Sequence, residues 1–177
     1  MTSLQEKQLK ISFPQETVGR KFDDQSHGLS HCMKAVDFIL KKNNRIYFIE
    51  IKDPDNTNTS EETRKDFKAK LKTSELCKEF VQKFRDSFLY EWASDQISNE
   101  DIFYLVILAM RSLTKADLIT LNDELKRKLP LKGPPSGAWK KSLVAGCGVF
   151  NLQSWNENFP DFQIERTNLQ PDSVLKD

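Results

Sequence analysis

This sequence lacks long apolar runs, clustered cysteines and a strong charge of either sign. Its three cysteines, Cys32, Cys77 and Cys147, are far apart and form no CxxC pair, so neither a disulfide framework nor a zinc knuckle is indicated. No apolar run approaches the roughly 20 residues that span a bilayer. Residues 1–10 lack the apolar core of a signal peptide. We therefore expect a cytoplasmic protein with no membrane partner.

The formal net charge of +1 excludes a global basic field, so any binding of nucleic acid has to rest on a local patch or on metal ions. The chain has 177 residues, 38% apolar and 30% charged, which fits a single folded domain over residues 1–177. The order hairpin, helix, strand, helix, strand predicts an α/β (α+β) fold with three layers around a mixed β-sheet.

The apolar periodicity and the turn residues place the individual elements. They predict a strand or the end of a first helix over 8–13, a hairpin over 35–40 and 45–52, one long helix over 61–93, a buried strand over 102–110, a helix over 115–129, a strand over 143–150, a short helix over 151–158 and an edge strand over 162–166. Ser60 is the expected N-cap of the long helix, and Thr114 with Asp117 that of the next.

The hairpin brings three charged residues onto one face. If Asn43 and Asn44 are the two turn residues, Asp37 lies directly opposite Glu50, and Lys52 lies two residues further along the same face. Only a turn with an odd number of residues would separate Asp37 from Glu50. The other face, with Tyr47, Ile49 and Ile51, is expected to bury against a helix.

Two adjacent carboxylates repel each other, so a cation is needed to keep both ionised. Oxygen ligands of this kind suit Mg²⁺ or Mn²⁺. The alternative is a cluster of salt bridges on an exposed sheet face, where such pairs contribute little. Ile46 and Phe48 precede Glu50 on the same face, and this favours a buried, functional site.

The pattern Val36-Asp37, followed after the turn by Glu50-Ile51-Lys52, resembles the PD-(D/E)xK nuclease superfamily. The resemblance covers roughly residues 1–110 and implies a restriction-endonuclease-like core, in which helices flank a mixed sheet; residues 111–170 would be a C-terminal extension. Val36 stands where Pro is common. No Glu lies on a recognisable first helix, so a further acidic ligand is unassigned, with Glu6 and Glu16 as candidates.

The resemblance also implies the chemistry. Asp37 and Glu50, with the backbone carbonyl of Ile51, would hold Mg²⁺ or Mn²⁺, and Asp37, Glu50 and Lys52 would be catalytic. Lys52 would orient or help deprotonate the attacking water, or neutralise charge in the transition state.

Candidate contacts to the substrate lie around this site. His27 and Ser30 precede the first strand of the hairpin, and Lys68 and Lys72 lie in the basic first half of the long helix. Trp139, with the lysines at 132, 140 and 141, is a further candidate for stacking on a base, against the alternative of a solvated loop with a half-buried Trp.

The expected function is a metal-dependent endonuclease that hydrolyses DNA, such as a restriction or anti-phage defence effector. Expected partners are DNA and either a second copy in a homodimer or a larger ATPase or sensor subunit. Two alternatives stay open. One is a catalytically inactive domain of the same fold that binds nucleic acid or a partner protein, and the other is a nuclease that cleaves RNA.

Overall fold

The structure is a computed structural model that describes residues 1–24 and 28–167. In chain order, the described residues form β1 (Thr2–Glu6), β2 (Leu9–Phe13), β3 (Val18–Lys21), β4 (Phe38–Lys42), β5 (Arg45–Lys52), α1 (Glu61–Lys72), α2 (Glu75–Ala93), β6 (Asp101–Leu108), α3 (Lys115–Lys128), β7 (Gly146–Phe150), α4 (Leu152–Asn158) and β8 (Gln163–Arg166). The expected α+β fold class is confirmed.

The larger of the two sheets in the described residues, which we call the large sheet, has the strand order β3-β4-β5-β6-β7. Its first three strands are antiparallel, and β5, β6 and β7 are parallel. The sheet is therefore mixed, as predicted. Parallel strands need a crossover connection, and α1 and α2 provide it between β5 and β6.

A second sheet, which we call the small sheet, was not predicted. It has the order β1-β2-β8 and is antiparallel throughout. For residues 8–13, the sequence predicts a strand or the end of a first helix, and the structure has strand β2 over Leu9–Phe13. No helix precedes β4 in the part of the chain that the structure describes. The predicted last strand is present as β8, at the edge of this sheet.

The hairpin turn is the one expected from the two asparagines. Lys42 pairs with Arg45, and Asn43 and Asn44 both have positive φ angles, 50° and 58°. Two consecutive left-handed residues match the right-handed twist of the flanking strands. The first strand of the hairpin, β4, begins three residues later and ends two residues later than predicted. At its start, Val36 N–H donates to Ser87 Oγ instead of continuing the ladder.

The prediction of one helix over 61–93 is wrong, because the structure has α1 and α2 with a break at Thr73 and Ser74. Thr73 is extended (φ −106°, ψ 162°), and its hydroxyl accepts a hydrogen bond from Glu75 N–H. Such local bonds to the backbone compete with helix continuation. Ser60 caps α1 by accepting from Thr63 N–H, as expected. None of the described helices is both long enough and apolar enough to cross a membrane.

Apolar cores lie on both faces of the large sheet. On one face, α2 and α3 pack against residues such as Phe48 and Tyr104. On the other face, the small sheet and Trp155 of α4 pack against residues such as Ile49. Tyr47, Ile49 and Ile51 therefore pack in a core with a helix, α4, as expected, but the small sheet, which was not expected, shares the same core. The segment after residue 110 contributes strands to both sheets.

Candidate active site

The hairpin brings Asp37 and Glu50 together at one end of β4 and β5. The register places Phe38 opposite Ile49, and one further step brings Asp37 opposite Glu50. Asp37 lies immediately before β4, and its Oδ2 accepts a hydrogen bond of 2.5 Å from Ile51 N–H. Asp37 is 4% exposed and Glu50 0%. The alternative of an exposed surface cluster is therefore wrong.

Two lysines reach the buried carboxylates from different elements. Lys52 Nζ and Lys83 Nζ each lie 2.9 Å from Glu50 Oε1. Lys83 Nζ also lies 4.0 Å from Asp37 Oδ1 and 3.8 Å from Asp23 Oδ2. The predicted Asp37–Glu50–Lys52 group is thus assembled in space, and Lys83 of α2 joins it from the helical layer.

Burial and charge set the protonation of the group. Burial, followed by the negative charge of Glu50, raises the pKa of Asp37 to about 7, although Lys83 and Ile51 N–H act in the opposite direction. For Lys83, burial lowers the pKa, but the carboxylates of Glu50 and Asp37 outweigh it and the net direction is upward. At neutral pH, Lys83 is therefore charged, and Asp37 holds a proton in a large fraction of molecules.

Lys83 was not singled out from the sequence. A signal for it was present, because Lys83 lies three residues after Phe80 and four before Ser87, which are both buried positions of α2. A lysine on the inward stripe of an amphipathic helix needs a buried partner. The many lysines and acidic residues along this helix made the spacing of Lys83 hard to recognise in the sequence.

The donor atoms at this site suit a hard cation. Residues alternate in the direction of their backbone groups along a strand. Since Lys52 O accepts from Ala109 N–H on one side, and Ile51 N–H points to Asp37 on the other, the Ile51 carbonyl points to the side of β5 on which Asp37 lies. Glu50 Oε2 is buried and has no hydrogen-bond partner among the described residues.

These two carboxylates and one carbonyl fit Mg²⁺ or Mn²⁺, which keep several waters when bound to proteins. No group of three or more His, Cys, Asp or Glu side chains within residues 1–24 and 28–167 is arranged to hold a metal ion. The positive charge nearest to both carboxylates is instead the ammonium of Lys83.

The candidates for a further acidic ligand have other partners. Glu6 pairs with Lys21 at 2.7 Å, and Glu16 pairs with Lys42 at 3.5 Å. Glu6 still acts on the site at longer range, because its charge contributes to the raised pKa of Asp37.

The predicted substrate contacts are dispersed. His27 lies outside the described residues, and Ser30 is an exposed turn residue before the hairpin. Lys68 and Lys72 line a groove of about 510 Å³ between α1 and α3, and neither Asp37 nor Glu50 lines it.

Trp139 lies at the opposite end of the parallel strands. It lines a groove of about 560 Å³ beside the start of β6, together with Trp92 and Lys141. Lys141 Nζ is held by Ser98 O and Asn99 Oδ1, at 3.3 and 2.6 Å. This groove is therefore a feature distinct from the carboxylate site.

Comparisons with protein-family models, with curated proteins and with solved structures find no match for this chain. Its function has to be argued from the site itself.

Proposed function

We propose that this chain is a metal-dependent nuclease that hydrolyses phosphodiester bonds of DNA. The observation that carries the proposal is the burial of Asp37 beside Glu50 at the end of the hairpin, with Lys52 Nζ 2.9 Å from Glu50. Two buried carboxylates destabilise a fold, and replacement by apolar residues is often neutral or stabilising. A costly arrangement of this kind is typical of functional sites, where pKa values are perturbed.

The surrounding topology supports the same proposal. Strands β3, β4, β5 and β6 form a mixed sheet, and α2 lies between β5 and β6 in the chain. This order agrees with the core implied by the resemblance to PD-(D/E)xK nucleases. It departs from that core before β4, where the described residues form strands rather than a first helix.

The residues have distinct tasks in this proposal. Asp37, Glu50 and the Ile51 carbonyl would hold Mg²⁺ or Mn²⁺. The metal ion would lower the pKa of a water bound to it and place a positive charge next to the phosphate. The Lys52 side chain is 28% exposed while its Nζ contacts buried Glu50, so it lies at the boundary between the carboxylates and solvent. From there its ammonium can bind a phosphate oxygen or orient the attacking water.

One observation favours a second candidate, a catalytically silent domain that binds nucleic acid or a partner protein. Lys52 and Lys83 already offset the charges of Asp37 and Glu50 within the chain. A site balanced in this way is stable without a metal ion, as a domain that only binds would require.

A cleavage assay separates these candidates. Supercoiled plasmid, linear DNA and RNA are incubated with the protein in Mg²⁺, Mn²⁺ or EDTA, alongside Glu50→Gln, Lys52→Ala and the control Asp123→Asn on the exposed face of α3. We expect cleavage of DNA with metal only, reduced at least about 100-fold in the two site variants, since each removes a group that acts on the reacting atoms. Cleavage that persists in both variants, or is absent under every condition, contradicts the nuclease proposal. Cleavage of RNA alone changes the substrate class.

A further inference from the structure

The ammonium of Lys83 lies among three carboxylates from three different segments. Its distances are 2.9 Å to Glu50, 4.0 Å to Asp37 and 3.8 Å to Asp23. Glu50 and Asp37 are buried, whereas the side chain of Asp23 is 51% exposed. Lys83 is itself only 14% exposed. The lysine thus bridges the inner pair of carboxylates and an outer one at the solvent boundary.

The position of the Lys83 ammonium is incompatible with a divalent metal ion bound to the same carboxylates. A metal ion held by Asp37 and Glu50 would share Glu50 with the Lys83 ammonium, and two cations only a few ångströms apart in a buried site repel strongly. Without the metal, however, the lysine offsets two carboxylates whose burial would otherwise oppose folding. A divalent ion and the Lys83 ammonium would therefore have to occupy this position one at a time.

We propose that Lys83 is a resident counter-cation, which a divalent metal ion displaces from Glu50 toward Asp23. The proposal rests on the proposed metal site. Asp23 suits the second position, because its Oδ2 is already 3.8 Å from Lys83 Nζ and because it faces solvent. A flexible four-carbon side chain can move its ammonium over this short distance without a change in the backbone. Lys83 is thus a positioning residue that sets the affinity for metal.

Direct Mn²⁺ binding tests the displacement. Free Mn²⁺ is measured by electron paramagnetic resonance at pH 8 for the wild type, Lys83→Met, Lys83→Arg and the control Lys78→Met, whose lysine is exposed on the same helix. We expect Lys83→Met to bind at least about tenfold more tightly, because a competing positive charge is removed. Lys83→Arg and Lys78→Met should show no such gain. Equal or weaker binding by Lys83→Met overturns the proposal.

Asp23→Asn tests where the ammonium goes. In the wild type, this change should weaken Mn²⁺ binding several-fold, because the displaced lysine loses its acceptor. In a Lys83→Met background, it should have no effect, which gives a non-zero interaction in the double-mutant cycle. A loss of similar size in both backgrounds would mean that Asp23 binds the metal directly, and would overturn the displacement toward it.

The folding of Lys83→Met is followed separately, because the variant removes one of the positive charges that offset the buried carboxylates of Asp37 and Glu50. Its thermal midpoint should rise with Mn²⁺ concentration more steeply than that of the wild type, as expected for tighter binding to the folded state. The metal-binding and melting experiments use no nucleic acid, so they test the metal site independently of cleavage. Tighter Mn²⁺ binding without cleavage therefore supports the inference and rejects the nuclease, whereas Mn²⁺ binding by neither protein rejects the metal site itself.

Discussion

Replacement of Asp37 by Asn should stabilise the protein above neutral pH. The pKa of Asp37 is about 7 in the folded chain, against an ordinary value of 3.8. Between these values the folded state binds more protons than the unfolded state, so the free energy of unfolding falls as the pH rises. Over about three pH units, at about 1.4 kcal/mol for each, the loss reaches about 4 kcal/mol. Asn carries no charge and keeps an oxygen that can accept from Ile51 N–H.

Urea unfolding measured at pH 4.5, 5.5, 6.5 and 7.5 gives this difference directly. The variant should exceed the wild type by only about 1 kcal/mol at pH 4.5, and by about 4 kcal/mol at pH 7.5. Asp123→Asn makes the same chemical change at an exposed position and should show no such trend. A variant that is less stable at pH 7.5 would refute the reasoning, because Lys83 and Ile51 N–H would then keep the carboxylate ionised.

Other changes test the framework that holds the site. Gly19→Ala in β3 should cost about 1–3 kcal/mol in urea unfolding, because the added Cβ would clash with the ring of Phe13. Thr114→Ala should cost about 1 kcal/mol by the same measurement, since the hydroxyl caps α3. Trp155→Phe should cost about 2 kcal/mol and reduce the near-ultraviolet circular dichroism, because Phe162 O loses the indole N–H and the core loses volume. Losses near zero in any of the three would contradict the packing described.

The hairpin and the relation of its charged residues could be predicted because their determinants are local. Asn43 and Asn44 are residues that tolerate the left-handed backbone, and the two-residue period of a strand then fixes which side chains share a face. Burial on both faces of β6 was similarly visible as an uninterrupted apolar run. The roles of Asp37, Glu50 and Lys52 stay predictions, since their placement alone does not establish chemistry.

The small sheet and the partners of Lys83 could not be predicted in this way, because both depend on contacts between distant parts of the chain. Strand β2 pairs with β8 about 150 residues later, and no short-range pattern specifies that partner. The break between α1 and α2 was missed for a different reason. The apolar stripe continues on both sides of Thr73 and Ser74. Periodicity alone does not show that a side-chain hydroxyl there accepts a backbone hydrogen bond and so interrupts the helix.

A second buried carboxylate helps to interpret the first. Glu91 of α2 is also 0% exposed, but its partner is the single guanidinium of Arg20, which reaches it from β3. That is one negative charge with one positive charge, an arrangement that holds β3 against the helix. Glu50 differs, because a second carboxylate lies beside it and two lysines are needed to balance the group. If structural cohesion were the sole requirement, one carboxylate and one lysine would suffice, and the repulsion between Asp37 and Glu50 would be avoided. The duplicated acid is therefore the feature that best supports the proposed divalent metal site, which stays a prediction.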